Sequence, residues 1–277
     1  MSENPAYRIY KIPELLSSSL IVGWSEDAGN LGWNVIDYLN KKLGSEEFGE
    51  LEPVGFFPLS GVSVEDDVVQ FPQSRLYWCR DKSLIFFKSN MPRSEWYKFL
   101  HLLLDVAGQH CNVKELYTIG GMVSFNAHTS PRELMAISNL PRIKRILNQH
   151  NLSLNMDYET PPGQRPTLSS FLLWVAKSRN IGAASLWVPI PFYLLGTEDP
   201  AACRRTVEFF DKRFNLGINY SDLDEAVRSQ NEKIALVRFS FPEINSYINN
   251  LENNIALGQE ESEKLVKEIE EYLKRIE

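Results

Sequence analysis

The sequence predicts an α/β three-layer α/β/α sandwich with a C-terminal helical extension. Three observations carry the prediction. Short apolar runs alternate with segments of helical periodicity over the first two thirds of the chain, the runs are bounded by turn-forming residues, and after Pro200 the pattern becomes wholly helical. Parallel strands need crossover helices that cover both faces of their sheet, so such alternation reads as a sandwich.

Residues 19–24 are a short apolar run, followed by a turn-rich stretch at 25–30 and by Leu31, Val35, Ile36, Leu39 and Leu43 at helical spacing up to Gly44. The reading is strand, tight loop, helix. Residues 48–58, 76–80 and 84–88 read as strands, the last two joined through Asp81, Lys82 and Ser83 as a hairpin. Pro92 opens an amphipathic helix carrying Trp96, Phe99, Leu100, Leu103 and Leu104. Residues 116–121 form a buried strand stopping on a double glycine, 132–137 a further short strand and 140–149 a helix.

A proline-rich loop at 158–166 precedes a helix over 168–177 and another core strand over 181–188. Beyond Pro200 come a helix over 202–214, a break at 215–217, and one long helical segment from Ser221 to about residue 254. Ser221 with Asp224 resembles an N-capping arrangement. After Gly258 the last helix carries Leu265, Val266, Ile269, Tyr272, Leu273 and Ile276 as one stripe, packed on the body or on a neighbouring subunit. The chain therefore divides into a core of residues 1–217 and a helical extension of residues 218–277.

The 277 residues hold 29 Lys and Arg against 36 Asp and Glu, a formal net charge of -7. This acidic balance argues against nucleic acid as a partner, because that attraction needs clustered positive charge. The longest apolar stretch, 183–196, contains Pro189 and Pro191 and falls short of the ~20 residues of a membrane helix, so no membrane partner is expected. Leu15 to Val22 loosely resembles a signal peptide, but Pro13 and Glu14 interrupt it. Cys79, Cys111 and Cys203 are odd in number and far apart, without metal-ligand spacing. They read as reduced, buried thiols of a cytoplasmic protein, with no metal and no cofactor.

Two segments are candidates for a ligand pocket. Gly23, Gly29, Asn30 and Gly32 lie between a strand and a helix, where free N–H groups can hold an anion. No Lys or Arg stands in that loop, and Glu26 and Asp27 oppose a phosphate. The alternative is a packing turn in which Asp27 satisfies the helix N-terminus and Gly32 lets helix and sheet approach closely. Gly120 and Gly121 lead into Asn126, His128 and Thr129, a polar cluster at a strand end where ligands of open α/β sheets gather, or a loop that bonds to itself.

Two further segments are candidates for an oligomer or partner interface. The stretch with Trp187, Pro189, Pro191 and Tyr193 is apolar and stiffened by proline, suited to core burial or to a protein contact. Leu265, Ile269 and Leu273 of the last helix suit a subunit interface. No serine elbow, zinc-ligand or nucleotide motif completes a catalytic constellation, so no catalytic residue is named.

Several segments together resemble the family of the proteasome assembly chaperone, second subunit, in its prokaryotic form, over roughly residues 15–224. Gly29-Asn30-Leu31-Gly32 is similar to the family's glycine-asparagine-x-glycine turn, and Asp37-Tyr38-Leu39 with Leu43-Gly44 to the helix that follows. Thr118-Ile119-Gly120-Gly121 and His128-Thr129-x-Pro131 come next in order. Gly182-Ala183-Ala184-Ser185-Leu186-Trp187, running into Pro189 and Tyr193, resembles its most specific strand and exit.

The resemblance implies a nucleoside phosphorylase-like architecture, assembly into a small homo-oligomer such as a trimer, and a helical extension as in actinobacterial-type members. It implies no established catalytic residues. Some archaeal relatives dock proteasome rings through a C-terminal hydrophobic-tyrosine-x tail. This sequence ends Lys274-Arg275-Ile276-Glu277 with Tyr272 further inside, so the resemblance does not extend to proteasome docking by that route.

The expectation is a non-enzymatic, cytoplasmic assembly or scaffold protein that acts on itself or on another protein. The alternative is a nucleoside-phosphorylase-like small-molecule binder or enzyme, with a pocket framed by Gly23, Asn30, Gly121, Asn126 and His128. Arg132 or Arg165 would then have to meet the phosphate.

Overall fold

A computed structural model describes residues 6–58, 63–65, 67–154, 159, 163–164 and 166–275. The strands are β1 (Tyr7–Ile9), β2 (Ser18–Trp24), β3 (Glu46–Leu51), β4 (Ser63–Glu65), β5 (Val68–Gln70), β6 (Ser74–Cys79), β7 (Leu84–Ser89), β8 (Val113–Ser124), β9 (Met135–Ser138) and β10 (Gly182–Pro191). The helices are α1 (Leu31–Leu43), α2 (Trp96–Cys111), α3 (Pro141–Leu147), α4 (Leu168–Ser178), α5 (Pro200–Phe214), α6 (Ser221–Ser240), α7 (Pro242–Glu252) and α8 (Gln259–Arg275).

Eight strands form one mixed sheet in the order β1-β3-β6-β7-β2-β8-β10-β9, and β4 pairs with β5 separately. The middle four, β7-β2-β8-β10, are parallel. The flanking pairs are antiparallel.

The parallel strands are apolar on both faces, as a sheet covered by helices requires. Leu20, Val22, Leu116 and Ala183 point into one layer with Phe99, Leu103, Leu172 and Val175 of α2 and α4. Ile21, Tyr117, Ile119 and Leu186 point into the other, with Val35 and Leu39 of α1, Ile143 of α3 and Phe210 of α5. This is the α/β sandwich the sequence predicts. The second layer does not stop at α5: Val237 of α6, Ile248 of α7, and Leu265, Ile269 and Leu273 of α8 belong to the same continuous core.

Several boundaries differ from expectation for identifiable reasons. The strand expected over 48–58 ends at Leu51, because the chain turns through Pro53 and Gly55, whose φ is 88°. The helix expected from Pro92 begins at Trp96, after Glu95 at φ 52°. Gly120 and Gly121 do not end β8; they pair with Trp187 and Val188, and the strand runs to Ser124. The long segment from Ser221 is two helices, since Pro242 lacks the N–H that would continue α6 and instead starts α7. Ser221 caps nothing; its own N–H donates to Asn219 Oδ1, while Asp224 pairs with Arg204. Most of the 158–166 loop, Arg165 included, and Ile276 lie outside the described residues.

Candidate functional site

The pairing of β2 with β8 ends at Gly23 and Ile119, whereas β8 and β10 stay paired as far as Ser124 and Pro191. The chain leaves β2 toward β3 on one side of the sheet and leaves β8 toward β9 at the opposite edge. Adjacent parallel strands whose connections diverge leave a crevice beyond their C-terminal ends.

Asp27 organises this crevice. Its Oδ2 accepts from the Gly32 N–H at 3.0 Å and from the Gly121 N–H at 2.7 Å. Gly32 lies in the first turn of α1 and Gly121 beyond the reach of β2, so one oxygen satisfies two N–H groups that neither helix nor ladder serves. Glycine is required here by close approach. A Cβ on Gly23 would collide with the Gly32 carbonyl and one on Gly121 with the Ala28 carbonyl; on Gly32 it would stand 3.0 Å from the Ile119 oxygen.

The other oxygen of Asp27, Oδ1, is buried and makes no hydrogen bond. Burial outweighs the N–H bonds and raises the carboxyl pKa to about 6. A cavity of about 470 Å³ opens at Asp27, with Gly29, Gly120, Gly121, Trp24 and Trp187 among its walls. The Trp24 indole N–H donates to Ser169 Oγ at 3.1 Å.

A second crevice, about 630 Å³, lies between the loop after β8 and helices α5 and α6, and His128, Thr129, Arg204, Arg205 and Asn231 line it. His128 is 8% exposed. Its backbone N–H donates to Tyr193 Oη at 2.5 Å, and its Nδ1 lies 2.8 Å from the same oxygen. An Oη that accepts from the backbone can give its own hydrogen to Nδ1, which leaves the imidazole proton on Nε2. Burial, with Arg238 and Arg132 nearby, lowers the His128 pKa to about 4, so the ring is neutral. Thr129 Oγ1 donates to Glu252 Oε1, and Glu252 also pairs with Arg238, tying the loop to α7 and α6.

The sequence profile of the PAC2 family matches residues 20–237. The chain belongs to the PAC2 family. Among solved structures it is similar to a Mycobacterium tuberculosis protein of unknown function, Rv2714, at TM-score 0.76 and 19% identity over 91% of this chain and 89% of that one. A Corynebacterium glutamicum protein of unknown function matches at TM-score 0.76 and 16% identity over 90% and 96%. Pyrococcus furiosus PbaB, described as an archaeal proteasome activator, matches at 0.68 and 19% over 84% and 98%. No curated protein matches the sequence at a significant level.

In this PAC2 chain the nine predicted pocket positions do not form one pocket. Gly29, Gly120 and Gly121 line the Asp27 crevice and His128 and Thr129 the other, and the two share no lining residue. Gly23 and Gly32 are used up in packing helix against sheet. Asn30 and Asn126 are exposed and line neither crevice. Arg132 is no free phosphate ligand, because its Nε holds Asp199 Oδ2 at 2.8 Å inside the protein.

The predicted interface positions also fall inside the chain. Pro191 and Tyr193 are buried, Trp187 and Pro189 partly so, and Leu265, Ile269 and Leu273 face the chain's own core instead of a neighbour. The sequence shows the apolar stripe of α8 and leaves open whether it packs on the body or on a neighbour; it packs on the turn after β10 and on α6 and α7 of the same chain. Sequence reasoning gave Asp27 only a helix-end role and missed its bond to Gly121, since nothing local marks a contact 94 residues away. Among the described residues no group of three or more His, Cys, Asp or Glu could hold a metal ion, and no helix is long and apolar enough to cross a membrane.

Proposed function

We propose that this PAC2 chain is a non-enzymatic, cytoplasmic scaffold with an assembly-chaperone-like role, working as a homo-oligomer such as a trimer. The observation that carries the reading is the apolar surface at the corner of α6 and α7, where Leu236, Phe239 and Phe241 are 53%, 89% and 41% exposed. Large apolar side chains grouped in water mark a protein contact surface. Relatives described as an archaeal proteasome activator and as a proteasome-assembly chaperone homologue support a role of this kind.

The histidine and arginine of the second crevice are engaged within the fold. His128 Nδ1 is held by Tyr193 and Arg132 by Asp199. Burial pushes the thiols of Cys111 and Cys203 up to about 12, far from a reactive thiolate.

Sedimentation velocity at micromolar concentration tests the reading. The native chain should sediment as a closed oligomer, and Leu236→Asp with Phe239→Asp should reduce it to a folded monomer, because Ile234 and Val237 on the inner face of α6 are untouched. A native chain that sediments as a monomer overturns it.

A further inference from the structure

We propose that the crevice at Asp27 binds a small organic ammonium ion. The inference stands on the crevice alone and does not depend on the scaffold reading.

The lining includes two carboxylates, Glu26 and Asp27, and no Lys, Arg or His. Glu26 is already met by Arg93 at 2.7 Å, whereas Asp27 has no ion pair among the described residues. The net result is one carboxylate, mostly withdrawn from water, with no cation to balance it. Such a charge is costly to bury alone, and a cationic ligand supplies what the protein does not. Burial raises the carboxyl pKa, and the backbone N–H bonds offset that only in part.

The remaining walls suit the organic part of the ligand. Trp24, Trp187, Met91 and Leu168 line the cavity; indole rings attract the ammonium head, and the apolar side chains suit the alkyl part of the ligand. The volume of about 470 Å³ is that of a small-molecule site.

An anion is disfavoured on two independent grounds. The carboxylates repel it, and the Gly32 and Gly121 N–H groups that could have bound it are already taken by Asp27. The crevice thus has the position of an α/β ligand site but the opposite charge preference from a phosphate loop.

Calorimetric titration of the full chain with choline and with phenethylammonium, beside the uncharged choline isostere 3,3-dimethylbutanol and inorganic phosphate, tests the proposal. At least one ammonium should bind at millimolar concentration or below, with neither the neutral isostere nor phosphate binding comparably. Asp27→Asn keeps an acceptor for both glycine N–H groups and should weaken the ammonium about tenfold or more. Gly120→Ala, whose Cβ would stand 3.2 Å from Trp187 Cδ1 and 3.8 Å from Asp27 Oδ2, narrows the cavity without altering charge and should weaken it too. Circular dichroism and melting temperature establish that both variants fold. Undiminished binding by Asp27→Asn, equal binding of the neutral isostere, preference for phosphate, or no ammonium binding at all overturns the proposal.

Discussion

Arg132 and Asp199 bind each other at 2.8 Å with side chains only 5% and 1% exposed. The pair joins the loop after β8 to the start of α5. Arg132 also donates to the carbonyl oxygens of His128 and Ser130, and Asp199 Oδ1 accepts from the Ala202 N–H as the cap of α5. Removing one partner leaves the other charge buried and unpaired, so Arg132→Ala should cost ~3–5 kcal/mol. In urea denaturation the double variant Arg132→Met, Asp199→Asn should lose less than the two single losses added together. Strict additivity would mean that the two charges are not coupled.

Glycine substitutions should separate sharply by position. Gly121→Ala drives a methyl into the Ala28 carbonyl, a backbone atom that cannot swing aside, and should cost several kcal/mol, ~3 or more. Gly108 lies on the exposed side of α2 with nothing within 4 Å of an added Cβ, so Gly108→Ala should stabilise by ~0.5–1 kcal/mol. Melting temperatures that move together in the two variants would contradict this.

Asp27 is expected to destabilise the fold at neutral pH. Its carboxyl rises from 3.8 to about 6 on folding, so the native state holds the proton more tightly than the unfolded chain. That contribution is fully present below pH 3.8 and is lost as pH rises through about 6. Asp27→Asn, which carries no charge at any pH, should therefore be more stable than the native protein by ~1–3 kcal/mol at pH 7.5 and show little advantage near pH 4. Chemical denaturation at the two pH values checks the sign.

His128 works in the opposite direction. Its pKa falls from 6.5 to about 4, so its contribution is present above pH 6.5 and is lost as pH drops through about 4. Acid should force a proton onto a buried ring beside Arg132 and Arg238 and break its bond from the Tyr193 hydroxyl. In an Asp27→Asn background, stability should fall more steeply between pH 6.5 and 4.5 than in the native protein, because the compensating carboxyl has been removed. An NMR titration showing His128 protonated at pH 6 would refute the account.

What could be read without coordinates was whatever a short window contains. The run 19–24, the periodic Leu31, Val35, Ile36 and Leu39, and Gly44 place β2 and α1 correctly, and Gly44 caps α1 at φ 60°. Pro242 is equally local, yet its missing N–H sits inside a long helical pattern that masks the break between α6 and α7. The double glycine reads as a strand end because its reason, the Ala28 carbonyl and the Trp187 ring pressed against it, comes from distant segments. The same holds for the site. His128 stands out in the sequence, but its partner Tyr193 lies 65 residues on, and Asp27 reads as a helix cap but not as a tie to β8.

The placement of β2 sets a schedule for the chain's own synthesis. Leu20, Ile21 and Val22 are wholly buried, and they sit between β7 and β8. The residue paired with Ser18 is Val113, 95 positions later. At ~5–20 residues per second, β2 leaves the ribosome on the order of 5–20 s before its second neighbour exists. For that interval one edge of β2 has no strand beside it, although α1 and then β7 come to lie against it, and its pairing with β8 closes late in sequence. A protein proposed to assist the assembly of others thus carries, during its own synthesis, a strand edge that waits for its partner.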